Sequence, residues 1–337
     1  MKYWRHHRIR GWREYAAFAA FILTSMICGF FLLGFSLLRS SPQTLGVTFS
    51  DKYAQSLGLD SAEALRAIVD DLGVHDVRIP VYWSDVEVAQ GQFDFSRIDR
   101  LLDIAADHDI SVTLAIGMKV PRWPECYIPS FYDSNVQGFD GQVLRYMQAL
   151  VSHTRQYDVI TRWQVENEPF FSYGECPEPS LSRLRQEVAL VRALDSRPIM
   201  MTVSGEQELW FNVASLSDSI GVSLYRFAHQ DILGPVAFPN TPFYYRVHAF
   251  VARFFTDDIV ISELQMEPWF TGNPQESGSI DVNFSADDFR EHLQFAKETG
   301  IHEALLWGVE WWYYEHLQGD DSLWNVAKDA FAQDSAK

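Results

Sequence analysis

Short apolar runs alternate with longer amphipathic stretches through most of the chain. The runs predict strands near residues 45–49, 77–82, 111–116, 159–165, 198–203, 219–224, 258–262 and 304–308. Each is four to eight residues long and rich in Val, Ile and Leu, the pattern of strands buried on both faces. The stretches between them carry helical spacing near 61–72, 95–108, 141–157, 180–194, 208–216, 244–255, 286–299 and 322–332. The helix at 61–72 reads as opened by Ser61, with Glu63 in its first turn. Strand–helix alternation implies parallel βαβ units. Eight such units with no linker between them predict one α/β domain, a (β/α)₈ TIM barrel, over residues 45–337. A doubly wound open sheet is the rival. It lacks support, because no Gly-rich fingerprint follows the first strand.

The beginning of the chain has a different texture. Tyr15 to Leu38 holds no charge in 24 residues, enough to cross a bilayer core of roughly 30 Å. Residues 1–39 contain six Lys or Arg against Glu14 alone, a net +5. The expected organisation is a basic cytoplasmic segment (1–14), one N-terminal transmembrane helix (15–38), a short linker (39–44) and the barrel outside the cytoplasm. A cleaved signal peptide followed by secretion is the alternative, although its apolar region is usually about 7–15 residues.

Composition narrows the function. Of the net charge of −18, the +5 flank leaves −23 on the rest. Such acidity argues against nucleic acid as a partner and disfavours polyanionic substrates. Aromatic residues make up 15%, with 11 Trp, more than a core of this size needs. Trp83, Trp123, Trp269, Trp307, Trp311 and Trp312 fall at or after strand ends, where rings could stack on the apolar faces of sugars. Packing under long loops is the competing reading. The ten His are scattered with no metal-ligand spacing, so no metal and no cofactor are expected. Of three Cys, Cys126 and Cys176 lie in loops after adjacent strands and are candidates for a disulfide outside the cytoplasm.

In a (β/α)₈ barrel, polar residues at strand C-termini read as catalytic. The fourth strand ends Glu166-Asn167-Glu168-Pro169, and the seventh ends Ser262-Glu263. Glycoside cleavage needs two carboxylates flanking one bond. Asn-Glu-Pro on the fourth strand, Glu on the seventh and Arg78 on the second resemble the retaining glycoside hydrolases of clan A, the cellulase-like group that includes family 5. The resemblance implies a carbohydrate substrate, with Glu168 as acid/base and Glu263 as nucleophile. It implies that Asn167 binds the sugar 2-hydroxyl, that Arg78 and Tyr225 lie beside the nucleophile, and that Trp307 floors the subsite of the cleaved sugar. Two departures mark an outlying member. Gly117-Met118-Lys119 stands where family 5 usually shows a His, and Ser223 stands where it often has another. Glu166 competes with Glu168, and Glu267 with Glu263. Glu206, after the fifth strand, reads as a solvated loop carboxylate, with substrate binding as the alternative. A transglycosylase using the same residues and a disabled sugar-binding barrel are the alternative functions.

Overall fold

The computed structural model describes residues 4–36, 43–230, 234–256, 258–271 and 279–335. Eight strands close into a barrel: β1 (Thr44–Thr48), β2 (Asp76–Pro80), β3 (Ser111–Ile116), β4 (Ile160–Val165), β5 (Ile199–Val203), β6 (Ser219–Leu224), β7 (Asp258–Gln265) and β8 (Glu303–Trp307). They are hydrogen-bonded around the ring in the order β1-β8-β7-β6-β5-β4-β3-β2, all parallel. Strands β5 and β6 are buried at every position, as expected where a barrel interior meets an outer helical layer. The (β/α)₈ expectation therefore holds, and every predicted strand lies within a few residues of an observed one.

Local chemistry explains several helix ends. The helix Ser61–Leu72 is capped by Asp60, whose carboxylate accepts from the amides of Ala62 and Glu63, so Asp60 rather than Ser61 is its N-cap. It stops at Gly73, in the left-handed conformation that glycine adopts at little cost. The helix Ala286–Glu298 opens on a reciprocal capping box between Ser285 and Asp288. After β5 the predicted helix shrinks to a single 3₁₀ turn, Trp210–Asn212. A helix at Val309–Leu317, directly after β8, has no counterpart in the sequence reading.

The N-terminal segment is helical over Trp4–Ser36. Among the described residues, however, no helix is long and apolar enough to cross a membrane. Side chains of this helix are described only over residues 11–29, and Arg13 and Glu14 fall within that window. The apolar part that remains is shorter than the roughly 20 residues a span requires. Residues 37–38 of the expected span lie outside the described residues, as do the side chains of residues 30–36. Trp12, Tyr15, Phe18, Phe21, Leu23 and Met26 are all exposed.

Candidate active site

The C-terminal ends of the strands bring the expected residues together. Glu263 is aimed by an irregularity in its own strand. Along β7, Ile261 pairs with Val222 of β6 and Glu263 with Ser223, so Ser262 is skipped. The extra residue is a β-bulge, a device that re-aims side chains at barrel rims. The Glu263 carboxylate is buried and held at both oxygens. Arg78 Nη1 donates to Oε1 at 2.9 Å, and the Tyr225 hydroxyl donates to Oε2 at 3.1 Å. Burial, with Glu263 as the next cause, pushes the Tyr225 hydroxyl well above its ordinary pKa, so it stays a proton donor.

Arg78 is wholly buried and organises the floor of the site. Its Nε donates to Gln164 Oε1 at 2.6 Å and its Nη2 to Asn167 Oδ1 at 2.8 Å. Asn167 Oδ1 also accepts from Gln164 Nε2 (3.1 Å) and the Thr202 hydroxyl (3.0 Å). Its amide nitrogen is left to point toward Glu125 Oε1, 3.4 Å away.

Glu168 lies just past β4 with φ +43°, in the left-handed region. Its amide donates to the Thr202 hydroxyl (2.8 Å), and its carbonyl accepts from Lys119 Nζ (3.1 Å). The Glu168 carboxyl is buried, and its pKa is raised well above the usual carboxylate range. Desolvation is the main cause, with the negative charges of Glu263 and Glu125 adding to it. Glu166 does a different job. Its carboxylate accepts from the amides of Met118 (2.9 Å) and Lys119 (2.6 Å), clasping the loop after β3. Gly117 makes that clasp possible: its φ is +124°, and a Cβ there would lie 2.6 Å from Glu166 Oε1. The two competing glutamates thus divide the work, Glu168 facing the other carboxylates and Glu166 holding a loop.

Several expectations need correction. Trp83 does not line the mouth. It is fully buried in a short helix, stacked on Tyr146 and near Tyr132 and Phe139, with its indole nitrogen donating to Glu87. Trp311 and Trp312 are buried as well. Glu206 is not a solvated loop carboxylate. It accepts from the Tyr225 amide at 2.8 Å and from the Tyr245 hydroxyl, and burial raises its pKa to about 7. Glu267, the competitor of Glu263, is buried and paired with Arg122.

The remaining aromatics stay near the mouth. Trp269 meets Tyr225 edge-to-face at 6.0 Å, and Trp123 is 59% exposed beside Tyr173. Trp307 ends β8, but one ring face is occupied by the Arg122 guanidinium, 4.0 Å from its centroid. Cys126 and Cys176 form a disulfide with Cα atoms 5.2 Å apart, joining the loops after β3 and β4.

Three residues of the site were given no role in the sequence reading. Glu125 is buried at the mouth, in ion-pair contact with Lys119 at 3.2 Å, and burial lifts its pKa to about 7. Lys119 also donates to the Phe171 carbonyl at 2.8 Å. Arg122 pairs with Glu267 and, at 3.0 Å, with Glu310. All three lie in an irregular loop with no periodicity to read. The unusual density of Lys, Arg, Pro, Trp and Cys across 117–126 was the available signal. For metals, Asp258, His302 and Glu303 place ligand atoms within 4.8 Å of one another among the described residues. They lie at the starts of β7 and β8, opposite the mouth, and Glu303 already pairs with Arg162.

No known protein family's profile matches the chain. The beta-galactosidase BgaA of Clostridium cellulovorans is 22% identical over 303 residues, which cover 76% of this chain and 43% of that protein. The exo-beta-1,4-mannosidase Op5Man5 from Opitutaceae bacterium strain TAV5 superposes with a TM-score of 0.60 at 12% identity, over 87% of this chain and 60% of the other. GH5_18 from Streptomyces cattleya, solved with GlcNAc, gives 0.55 at 13%, over 80% and 70%. The chain thus resembles glycoside hydrolase barrels of the cellulase-like kind, and at these identities the likeness is one of fold. It spans less than half the length of the curated relative.

Proposed function

We propose that the barrel is a glycoside hydrolase acting on β-linked saccharides by double displacement with retention. The observation that carries the reading is the single buried guanidinium of Arg78, which holds both Glu263 and Asn167 while Glu168 stands by with a raised pKa. In the first step Glu263 attacks the anomeric carbon. The glycosidic C–O bond breaks, and the leaving oxygen takes the proton of Glu168. Arg78 and Tyr225 keep the Glu263 carboxylate oriented until the new bond forms. In the second step Glu168, now ionised, takes a proton from water. The water oxygen attacks the same carbon and Glu263 departs.

The decisive measurement uses 4-nitrophenyl β-glycosides with the full chain and its Glu168→Ala and Glu263→Gln variants. Glu263→Gln is expected to lower kcat by at least about 10⁴-fold with an unchanged circular dichroism spectrum. Glu168→Ala is expected to regain rate with azide, yielding a β-glycosyl azide, and to lose the alkaline fall in kcat/KM that deprotonation of Glu168 causes. Normal turnover by Glu263→Gln sinks the reading.

The barrel is placed outside the cytoplasm in the same proposal. A disulfide suits an oxidising compartment. A membrane anchor over 15–38 belongs to it too, supported by the exposed apolar side chains of the N-terminal helix. Extraction of the chain by alkaline carbonate without detergent would remove the anchor from the proposal.

A further inference from the structure

The loop that follows β3 does not stay over β3. Pro121 accepts a hydrogen bond from Tyr82, just past β2, at 3.3 Å. One residue on, the Arg122 guanidinium lies 3.8 Å from the ring centroid of Tyr53, past β1, and 4.0 Å from that of Trp307, at the end of β8. It then pairs with Glu310, past β8, and with Glu267, past β7. One loop rooted on β3 therefore roofs the mouth over β2, β1 and β8, and Arg122 is its bolt, with only 11% of its side chain exposed. Its positive charge is matched by two buried carboxylates, so it is a closure rather than a free anion site.

The chemistry gives this roof a direction. The proton donor must stand by the leaving-group oxygen, and the nucleophile by the anomeric carbon of the sugar that is transferred. With Glu168 on β4 and Glu263 on β7, the leaving group extends toward the β4 side. The transferred sugar sits toward β7, β8 and β1, the side that Arg122 closes. The β4 side carries the exposed pair Trp123 and Tyr173, in edge-to-face contact at 5.6 Å.

We infer that the site is a pocket closed beyond the transferred sugar, so that the protein removes single sugars from the non-reducing ends of β-linked chains, with Arg122 as the residue that enforces this. The inference rests on the glycosidase reading and adds its mode of action.

The test has two parts. Aryl β-mannoside, β-galactoside and β-glucoside identify the accepted sugar. The β-linked hexaose of that sugar, labelled at its reducing end, is then followed through the first few per cent of turnover. The expected first labelled product is the pentaose, with the monosaccharide as its unlabelled partner. Labelled di-, tri- or tetraose among the first products overturns the inference and leaves the glycosidase reading standing. No turnover of any aryl glycoside or hexaose overturns both. In Arg122→Ala, internal cuts are expected to rise at least about tenfold as a share of first products. A folded Arg122→Ala that still yields only pentaose overturns the role given to Arg122. Should that variant fail to fold, the wild-type product series still decides the closed pocket.

Discussion

Arg78 donates to Glu263 at 2.9 Å from a position with no exposed surface, and the same guanidinium reaches Asn167 on the opposite side of the mouth. The pair is a buried ion pair in which each partner's removal is costly. Arg78→Met leaves a carboxylate uncompensated and is expected to cost about 3–5 kcal/mol in chemical denaturation. Arg78→Lys retains the charge but not the fork that also holds Gln164 and Asn167. Its kcat on an aryl glycoside should fall about 10²-fold with a smaller stability loss. A Lys variant with wild-type kcat would show that the fork is dispensable.

Stability should depend on pH in an unusual direction. Burial raises the pKa of Glu310 to about 7, against the opposing pull of Arg122. The folded state then binds a proton more tightly than the unfolded chain, whose Glu titrates near about 4.3. Stability from this group is complete below about pH 4.3 and is lost as pH rises toward 7, at a slope of at most about 1.4 kcal/mol per pH unit. Glu206, also raised to about 7, acts with the same sign. Melting temperature should therefore fall between pH 5 and pH 7, and Glu310→Gln should flatten that fall. A melting temperature that climbs across this window contradicts the assignment.

Two tryptophans separate packing from binding. Trp83→Ala removes a fully buried ring and should cost about 3–5 kcal/mol with little change in substrate preference among the molecules that remain folded. Trp123→Ala, at a 59% exposed position, should leave stability within about 0.5 kcal/mol. It should raise KM for an oligosaccharide about fivefold and leave KM for an aryl glycoside unmoved. Equal effects on both substrates would take Trp123 out of the leaving-group side.

The barrel was legible because its strands are continuous apolar runs and its helices keep their spacing. Glu168, Glu263, Asn167, Arg78 and Tyr225 could be placed for a related reason: each stands on a barrel strand or within three residues of its C-terminal end, so the apolar run that marks the strand also locates the residue. Legibility failed where the chain leaves regular structure. Trp83 follows β2 directly, as a binding residue would, but the chain turns at once into the helix Trp83–Val86 and points the ring inward. Glu206 reads as a loop residue, yet the Tyr225 amide and the Tyr245 hydroxyl reach it from 19 and 39 residues away. Arg122 and Glu125 act through partners on four other loops, a juxtaposition that no spacing along the chain encodes.

The left-handed backbone at Glu168 carries a consequence of its own. A non-glycine residue at φ +43° is held there by its surroundings at a cost of order 1–3 kcal/mol, and its buried carboxyl adds a desolvation cost. Glycine would relieve both. On the proposed mechanism, chemistry and durability are opposed at this one position, and Glu168→Gly, which lacks the proposed acid, should outlast the parent protein under heat. Selection that looked only at thermal endurance would remove this proposed acid.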